Sequence, residues 1–415
     1  MAQVVILGGG FAGLGVARAL GRSRAKARLD VTLVNRENYM LFTPMLPEVA
    51  SGSVEPRHIG QPIRSALRGR IRFVLANVTG VDFQARRVHM EHPLTGVVND
   101  MPYDHLVIAL GAESSTHGTP GAQDHSTPLK TLDDAVCIRS KFVHALEAAA
   151  VASDDAERRR LLTLVVVGGG FTGVEAVGEL LAYLRAVGEQ YPAPDREVRV
   201  VLVAGSGRLL EQLPKRFGDR AQAMLSRRGI EVVFNDDVAA VDAGGLTLKS
   251  GKRYEASTIV WSAGVRIPPL IAELDVTHSE HHAIVVQPDM SVEGRSGVWS
   301  LGDCAHIPKP GGGAFPQTAQ HAIREASVLA RNIIAVERGR PTRSFRYKEA
   351  GMMASLGGRE GLADIAGRAM ISGFPAWLMW RGYYLSQLPG AYRKVRVAAD
   401  WALALPFAKD VTSID

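Results

Sequence analysis

Two glycine triplets, Gly8-x-Gly10-x-x-Gly13 and Gly168-x-Gly170-x-x-Gly173, hold the clearest chemical signal in this chain of 415 residues. Each follows a short apolar run, at 4–7 and 164–167, and each opens a stretch of helical composition. In that setting the first glycine permits a sharp turn and the second lets backbone approach a pyrophosphate. The third lets the helix pack on its strand, and the phosphates rest at the positive helix end. Second strands are predicted at 30–34 and 198–203. Laid on one another, 4–20 and 164–180 share seven of seventeen residues, including GGGF. Two such units predict two dinucleotides, naturally a nicotinamide that delivers hydride and a flavin that accepts it.

A second strand of this kind commonly ends in a carboxylate that binds a ribose hydroxyl. Here the first ends at Asn35, which can still bond a ribose, with Glu37 two residues on. The second ends at Ala204, followed by Gly205, Ser206, Gly207 and Arg208. A missing carboxylate removes repulsion against a 2′-phosphate, and Arg208 could pair with one. The alternative is a ribose held by backbone and Ser206, so NADH and NADPH both stay open.

Three more segments read as strands closing on glycine: YDHLVIALG at 103–111, IVWSAG at 259–264 and VWSLGDCA at 298–305. Asp303 in the last is suited to flavin ribityl hydroxyls. With GGGFAG, NYMLFTPMLPEVASG (38–52), GGGFTGVEAVGEL (168–180), WSAGVR (261–266), PQTAQHA (316–322) and PAWLMWRGYYLSQLPG (375–390), they give the chain a family likeness. It resembles the pyridine nucleotide–disulfide reductase superfamily and, within it, the type II NADH:quinone oxidoreductases, over essentially its whole length. The resemblance implies an FAD site built from Gly8, Gly10, Phe11, Ala12, Gly13, Asn35, Arg36, Pro44, Met45, Val78, Ala109, Gly111, Gly302 and Asp303. It implies a nicotinamide nucleotide on Gly168, Gly170, Phe171, Thr172, Gly173 and Glu175, with Ala204, Arg208 and Gly264 nearby. Gln320 and His321 would lie where a membrane quinone docks beside the flavin.

Two positions depart from the family pattern, both near the expected acceptor: Arg324 where a second glutamine is common, and Ala350 where a lysine is common. The cysteine pair of the disulfide reductases is missing, since the two cysteines are Cys137 and Cys304; Cys304 reads as a packed residue of the LGDCA turn. No metal-ligand spacing appears among the histidines. His321 reads either as a proton donor to reduced quinone or as a helix histidine facing solvent or backbone. Glu175 reads either as a group that positions the nicotinamide or relays protons, or as a helix N-terminal carboxylate stabilised by the dipole.

Formal net charge is +6, too diffuse to argue for nucleic acid but suited to an anionic membrane surface. Two lone cysteines fit a reducing compartment. Without a signal peptide or an apolar run of transmembrane length, any membrane contact is expected to be peripheral, on the cytoplasmic face, with no proton pumping. The segment 372–407 holds three of the five tryptophans, Trp377, Trp380 and Trp401, and is split by Pro389-Gly390 into two short helices. Trp377, Leu378, Arg381, Tyr384, Leu385 and Leu388 share one side, and Arg393, Lys394 and Arg396 add charge, as an interfacial anchor needs. An ordinary docking helix or a homodimer surface is the other reading.

The expected fold is α/β, with two Rossmann-like dinucleotide domains arranged as in glutathione reductase and a C-terminal amphipathic membrane region. Residues 1–115 and 286–340 would form the FAD domain, 116–285 the NAD(P)H domain and 341–415 the membrane region. The rival readings are a soluble ferredoxin or rubredoxin reductase, and a redox sensor with little turnover.

Overall fold

The structure is a computed structural model that describes all residues except 28, 189, 192–196, 349–350, 366, 406, 408 and 413–415. The chain forms two compact units. One comprises Met1–Leu41, Gly60–Glu113 and Val265–Lys348; the other comprises Phe42–Ile59, Ser114–Gly264 and Glu349–Asp415.

The first unit is built on a parallel sheet whose strands lie in the order Val298–Ser300, His105–Ile108, Ala2–Leu7, Leu29–Asn35, Arg72–Leu75. The central strand is buried on both faces, which is why it reads as an unbroken apolar run rather than an alternation. The helix Phe11–Ala27 leaves the first glycine loop and packs on the helix Ala319–Val336, where Gly15 lies against Ala326. A three-stranded antiparallel sheet, Asn77–Asp82, Arg87–Glu91 and Val98–Pro102, completes the unit.

The second unit repeats the plan. Its parallel sheet runs Thr127–Pro128, Thr258–Trp261, Thr163–Val167, Arg199–Ala204, Glu231–Phe234. The helix Phe171–Gly188 follows the second glycine loop. The antiparallel strands Val238–Asp242, Gly245–Leu248 and Arg253–Glu255 contribute Leu246, Leu248 and Tyr254 to a core shared with Val165, Val201 and Ile259. The charged stretch at 154–161 is a helix, Asp155–Leu161, capped by Asp154, whose carboxylate accepts from the Glu157 N–H at 3.1 Å.

A third sheet, Gly351–Gly357, Glu360–Ile365 and Ala369–Gly373, packs on the Phe171–Gly188 helix at a backbone crossing. A Cβ on Gly178 would collide with the Leu356 carbonyl there. Arg228 ties the crossing by donating to Gly178 O at 3.0 Å and Gly357 O at 3.1 Å. Gly178→Ala should therefore cost on the order of 1–3 kcal/mol, because the neighbour is backbone and cannot step aside. Thermal unfolding reads this, and an unchanged Tm would refute it.

The tail forms helices Phe374–Gln387 and Ala391–Leu403, broken at Pro389-Gly390 as the sequence predicts. Its tryptophans face inward, however: Trp377, Trp380 and Trp401 are all buried. Arg381 is held between the Trp377 and Trp401 rings, at 4.0 and 4.5 Å from their centroids. Of the predicted amphipathic stripe, Trp377 and Leu388 are buried and Leu378 is exposed. The exposed apolar residues are a different set, including Phe374, Tyr392, Val395, Leu403 and Phe407.

Candidate functional site

Each unit carries one glycine cradle. In the first, Gly8 adopts φ +101°, and a Cβ there would strike the Ala109 carbonyl. A Cβ at Gly13 would strike the Gly8 carbonyl. At Gly10, among the described residues, nothing beyond the adjoining chain lies within 4 Å of where a Cβ would stand. Two glycines thus close the turn and the third leaves open space at the helix start, where Phe11 and Ala12 begin the first turn. That is the shape a pyrophosphate requires, so these residues fit a dinucleotide.

Around this cradle the Gly9 N–H donates to Asn35 Oδ1 at 2.7 Å, and Asn35 Nδ2 donates to Glu37 O at 2.8 Å. Asn35 thereby braces the loop against the strand end, with Arg36 and Glu37 exposed beyond it. Val78 is half-buried on its strand, opposite Met90. Gly111, at φ +71°, also faces open space. Gly302, at φ +74°, approaches Ala12 and donates its N–H to Glu325 Oε2 at 2.9 Å. Burial pushes Glu325 up to about 7, and the neighbouring Asp303 carboxylate adds to the rise. Burial likewise pushes the Cys304 thiol up to about 11, consistent with a packed rather than reactive cysteine.

The Ala319–Val336 helix brings Gln320, His321 and Arg324 together. His321 is buried, with Nδ1 2.8 Å from the N-cap hydroxyl of Thr318. Its ring packs against Phe315 and Tyr347. It is turned away from solvent, within a capped aromatic cluster. Arg324 donates to Gln320 O at 2.8 Å and lies over the Tyr347 ring, 4.3 Å from the centroid.

The second cradle matches the first. Gly168 sits at φ +122°, a Cβ on Gly173 would strike the Gly168 carbonyl, and Gly170 again faces open space. Phe171 and Thr172 start the helix. Ala204 is fully buried against Gly169. Arg208 is engaged elsewhere than the sequence suggests: its guanidinium donates to Leu213 O at 2.8 Å and to Glu211 O. Ser206 Oγ donates to Arg208 O at 2.9 Å. Both groups offered for the ribose end thus bond the turn that carries them. Gly264, at φ +88°, is covered by the His117 ring, which no sequence pattern had singled out.

Behind this cradle lies a buried group of carboxylates. Glu175 Oε1 accepts from Ser355 N at 3.0 Å and from the Trp380 indole at 2.9 Å. Glu179 Oε1 accepts from Ser355 Oγ at 3.0 Å. Glu48 Oε1 accepts from Arg381 at 3.3 Å, while its Oε2 is buried with no hydrogen-bond partner among the described residues. Burial pushes Glu175 up to about 8, with Glu179 and Glu48 adding to the rise. Burial also raises Glu48, with Glu179 next in effect. The Thr43–Met45 turn and the helix Leu46–Ala50 belong to this unit; Met45 is fully buried and Pro44 half-buried.

Residues 2–326 match the pyridine nucleotide-disulphide oxidoreductase family, and residues 350–410 match the NDH2 C-terminal domain. The chain is 35% identical to the type II NADH:quinone oxidoreductase NdhA of Mycobacterium tuberculosis, covering 98% of this chain and 87% of that protein. The chain belongs to the type II NADH:quinone oxidoreductases. It is also 28% identical to the mitochondrial external alternative NADH-ubiquinone oxidoreductase of Yarrowia lipolytica, over 99% of this chain and 80% of the other. The structure of NDH2 from Plasmodium falciparum in complex with NADH shares its fold, with a TM-score of 0.92, 20% identity and 99% coverage of both chains.

Within the type II family, one of the two departures now has a structural account. Arg324 supplies a cation for the Tyr347 ring and a donor for the Gln320 carbonyl, so it stiffens the helix turn that presents Gln320. Ala350 lies outside the described residues. The sequence reading did not single out Glu48, Glu179 or Glu325. Their partners are remote in the chain, and a glutamate on a helix otherwise reads as solvated.

Proposed function

We propose that this chain is an FAD-dependent, non-proton-pumping NADH:quinone oxidoreductase working peripherally at the cytoplasmic face of a membrane, with NADH on the second cradle and FAD on the first. The observation that carries this reading is the pair of open glycine cradles with matching geometry in a chain of the type II family. Bound FAD supplies a hydride acceptor and a two-electron relay to the quinone.

The chain's own residues seat and shield. Gly8, Gly10 and Gly13 cradle one pyrophosphate, with Asn35 holding the loop and Gly111, Gly302 and Asp303 completing the flavin seat. Gly168, Gly170 and Gly173 cradle the other. Gln320, whose backbone carbonyl accepts from Arg324, would meet the quinone head group. Reducing a quinone takes two electrons and two protons, and hydride brings only one of the protons. Glu175 holds a proton at neutral pH, because burial raises it to about 8. Oε1 already accepts two hydrogen bonds, so that proton belongs on Oε2.

Steady-state oxidation of NADH by the FAD-loaded protein, with and without a short-chain quinone, tests the reading. Fast quinone-dependent turnover is expected. Flavin that NADH reduces but quinone fails to reoxidise would overturn the acceptor.

The surface that supports the membrane assignment is the set of exposed apolar residues on the tail. Phe374, Leu378, Tyr392, Val395, Leu403 and Phe407 are each more than half exposed. Among the described residues no helix is long and apolar enough to cross a membrane. The protein should float with vesicles containing anionic lipid, and the combined variant Leu378→Glu, Val395→Glu, Leu403→Glu should not, while keeping its fold and flavin. Equal flotation of both proteins would remove the tail from the anchor.

A further inference from the structure

The strand that should end in a ribose-binding acid ends at Ala204, yet a carboxylate stands beside it. Asp237 follows the neighbouring parallel strand Glu231–Phe234, in the loop where Asn235 N bonds Ser206 O at 3.3 Å. A Cβ built on Gly205, one residue past the strand, would collide with Asp237 Oδ1. That oxygen therefore occupies the place a side chain at the strand end would take, on the carboxyl edge of the sheet where nucleotides bind. Glycine at 205 makes room for it. The other oxygen, Oδ2, pairs with Lys249 Nζ at 2.8 Å, and the Asp237 side chain remains 56% exposed. Arg208, the one cation the sequence offered to a 2′-phosphate, is held by two backbone carbonyls.

We infer that Asp237 replaces the missing strand-end acid and makes this protein select NADH over NADPH, accepting the ribose hydroxyls and repelling a 2′-phosphate. The inference rests on the second cradle being the nicotinamide nucleotide seat. Asp237 is here a specificity residue supplied by the next strand's loop. No pattern within the glycine unit itself reports it.

The test compares kcat/KM for NADH and NADPH in the FAD-loaded wild type, Asp237→Asn, Lys249→Ala and Asp236→Asn, with a short-chain quinone. Wild type should favour NADH at least tenfold. Asp237→Asn, isosteric and uncharged, should shrink that ratio about tenfold, mainly through KM. Lys249→Ala, which strips the carboxylate of its counter-charge, should enlarge it. Asp236 bonds Ser250 instead, so Asp236→Asn should leave the ratio as it is. A wild type that prefers NADPH, or an Asp237→Asn ratio within twofold of wild type, overturns the inference. Titrating the same proteins with ADP-ribose and 2′-phospho-ADP-ribose by intrinsic fluorescence reads the discrimination without turnover. Normal discrimination with no quinone reduction would count against the proposed activity and leave Asp237's role standing. Equal binding of the two probes would count against Asp237.

Discussion

Gly10→Val should give a folded protein without flavin, and Gly170→Val a folded flavoprotein that NADH cannot reduce. Both positions face open space: among the described residues, nothing beyond the adjoining chain lies within 4 Å of a Cβ. A branched side chain there meets no protein atom at its base and fills the volume the pyrophosphate needs. The folding cost is therefore small, while the ligand loses its seat at the helix N-terminus. A hundredfold loss of affinity or more is expected, equivalent to about 2.7 kcal/mol. Gly13→Val and Gly173→Val form the contrast, because a Cβ at either would strike the carbonyl of Gly8 or Gly168. Those variants should lose stability as well as ligand. Flavin content after purification, thermal unfolding of the apoprotein and anaerobic reduction by NADH separate the four. Two results would refute the assignment of cradles: a yellow Gly10→Val, or a Gly170→Val whose flavin NADH still bleaches.

The cradles were legible because their chemistry is local. One strand, three glycines and one helix follow one another directly in the chain, and the tightest contact of the loop, Gly13 against the Gly8 carbonyl, lies inside that span. The helix break at Pro389-Gly390 was legible for the same reason. The tail's tryptophans were misread because an apolar stripe at helical spacing looks the same whether lipid or protein covers it. Here the strand Glu360–Ile365 covers it, with Gly361 against the Trp377 backbone. The bonds of Arg208 to its own turn were not legible, because an arginine after a strand gives no sign that it will cap nearby carbonyls. Asp237 and Glu48 were invisible in a different way. Their roles are set by Gly205 across a sheet edge and by Arg381 more than three hundred residues away. Sequence spacing carries no information about such pairs.

Glu175→Gln should slow quinone reduction ten- to a hundredfold while leaving reduction by NADH nearly intact, and should flatten the pH dependence of stability. Glutamine keeps the Oε1 acceptor for Ser355 N–H and the Trp380 indole, so the packing survives and only the titrating proton is lost. A positioned proton donor contributes on the order of 10²–10⁴ in rate, and partial replacement by solvent water sets the smaller figure expected here. The sign of the stability effect follows from the carboxyl's rise from 4.5 to about 8 on folding. Between those values the folded protein holds a proton that the unfolded chain has released, so stability falls as pH rises through that window. The loss is fully developed above about 8 and amounts to a few kcal/mol for a fully buried group. Glu175→Gln, neutral at every pH, should therefore unfold at a higher temperature than wild type at pH 8.5 and at a similar one at pH 5. Glu48→Gln should not share that gain, because Arg381 is left buried between two indoles without its counter-charge. Parallel melting profiles for wild type and Glu175→Gln from pH 5 to 8.5 would mean that Glu175 ionises normally in the folded protein, and the proton it is assigned would have to come from elsewhere.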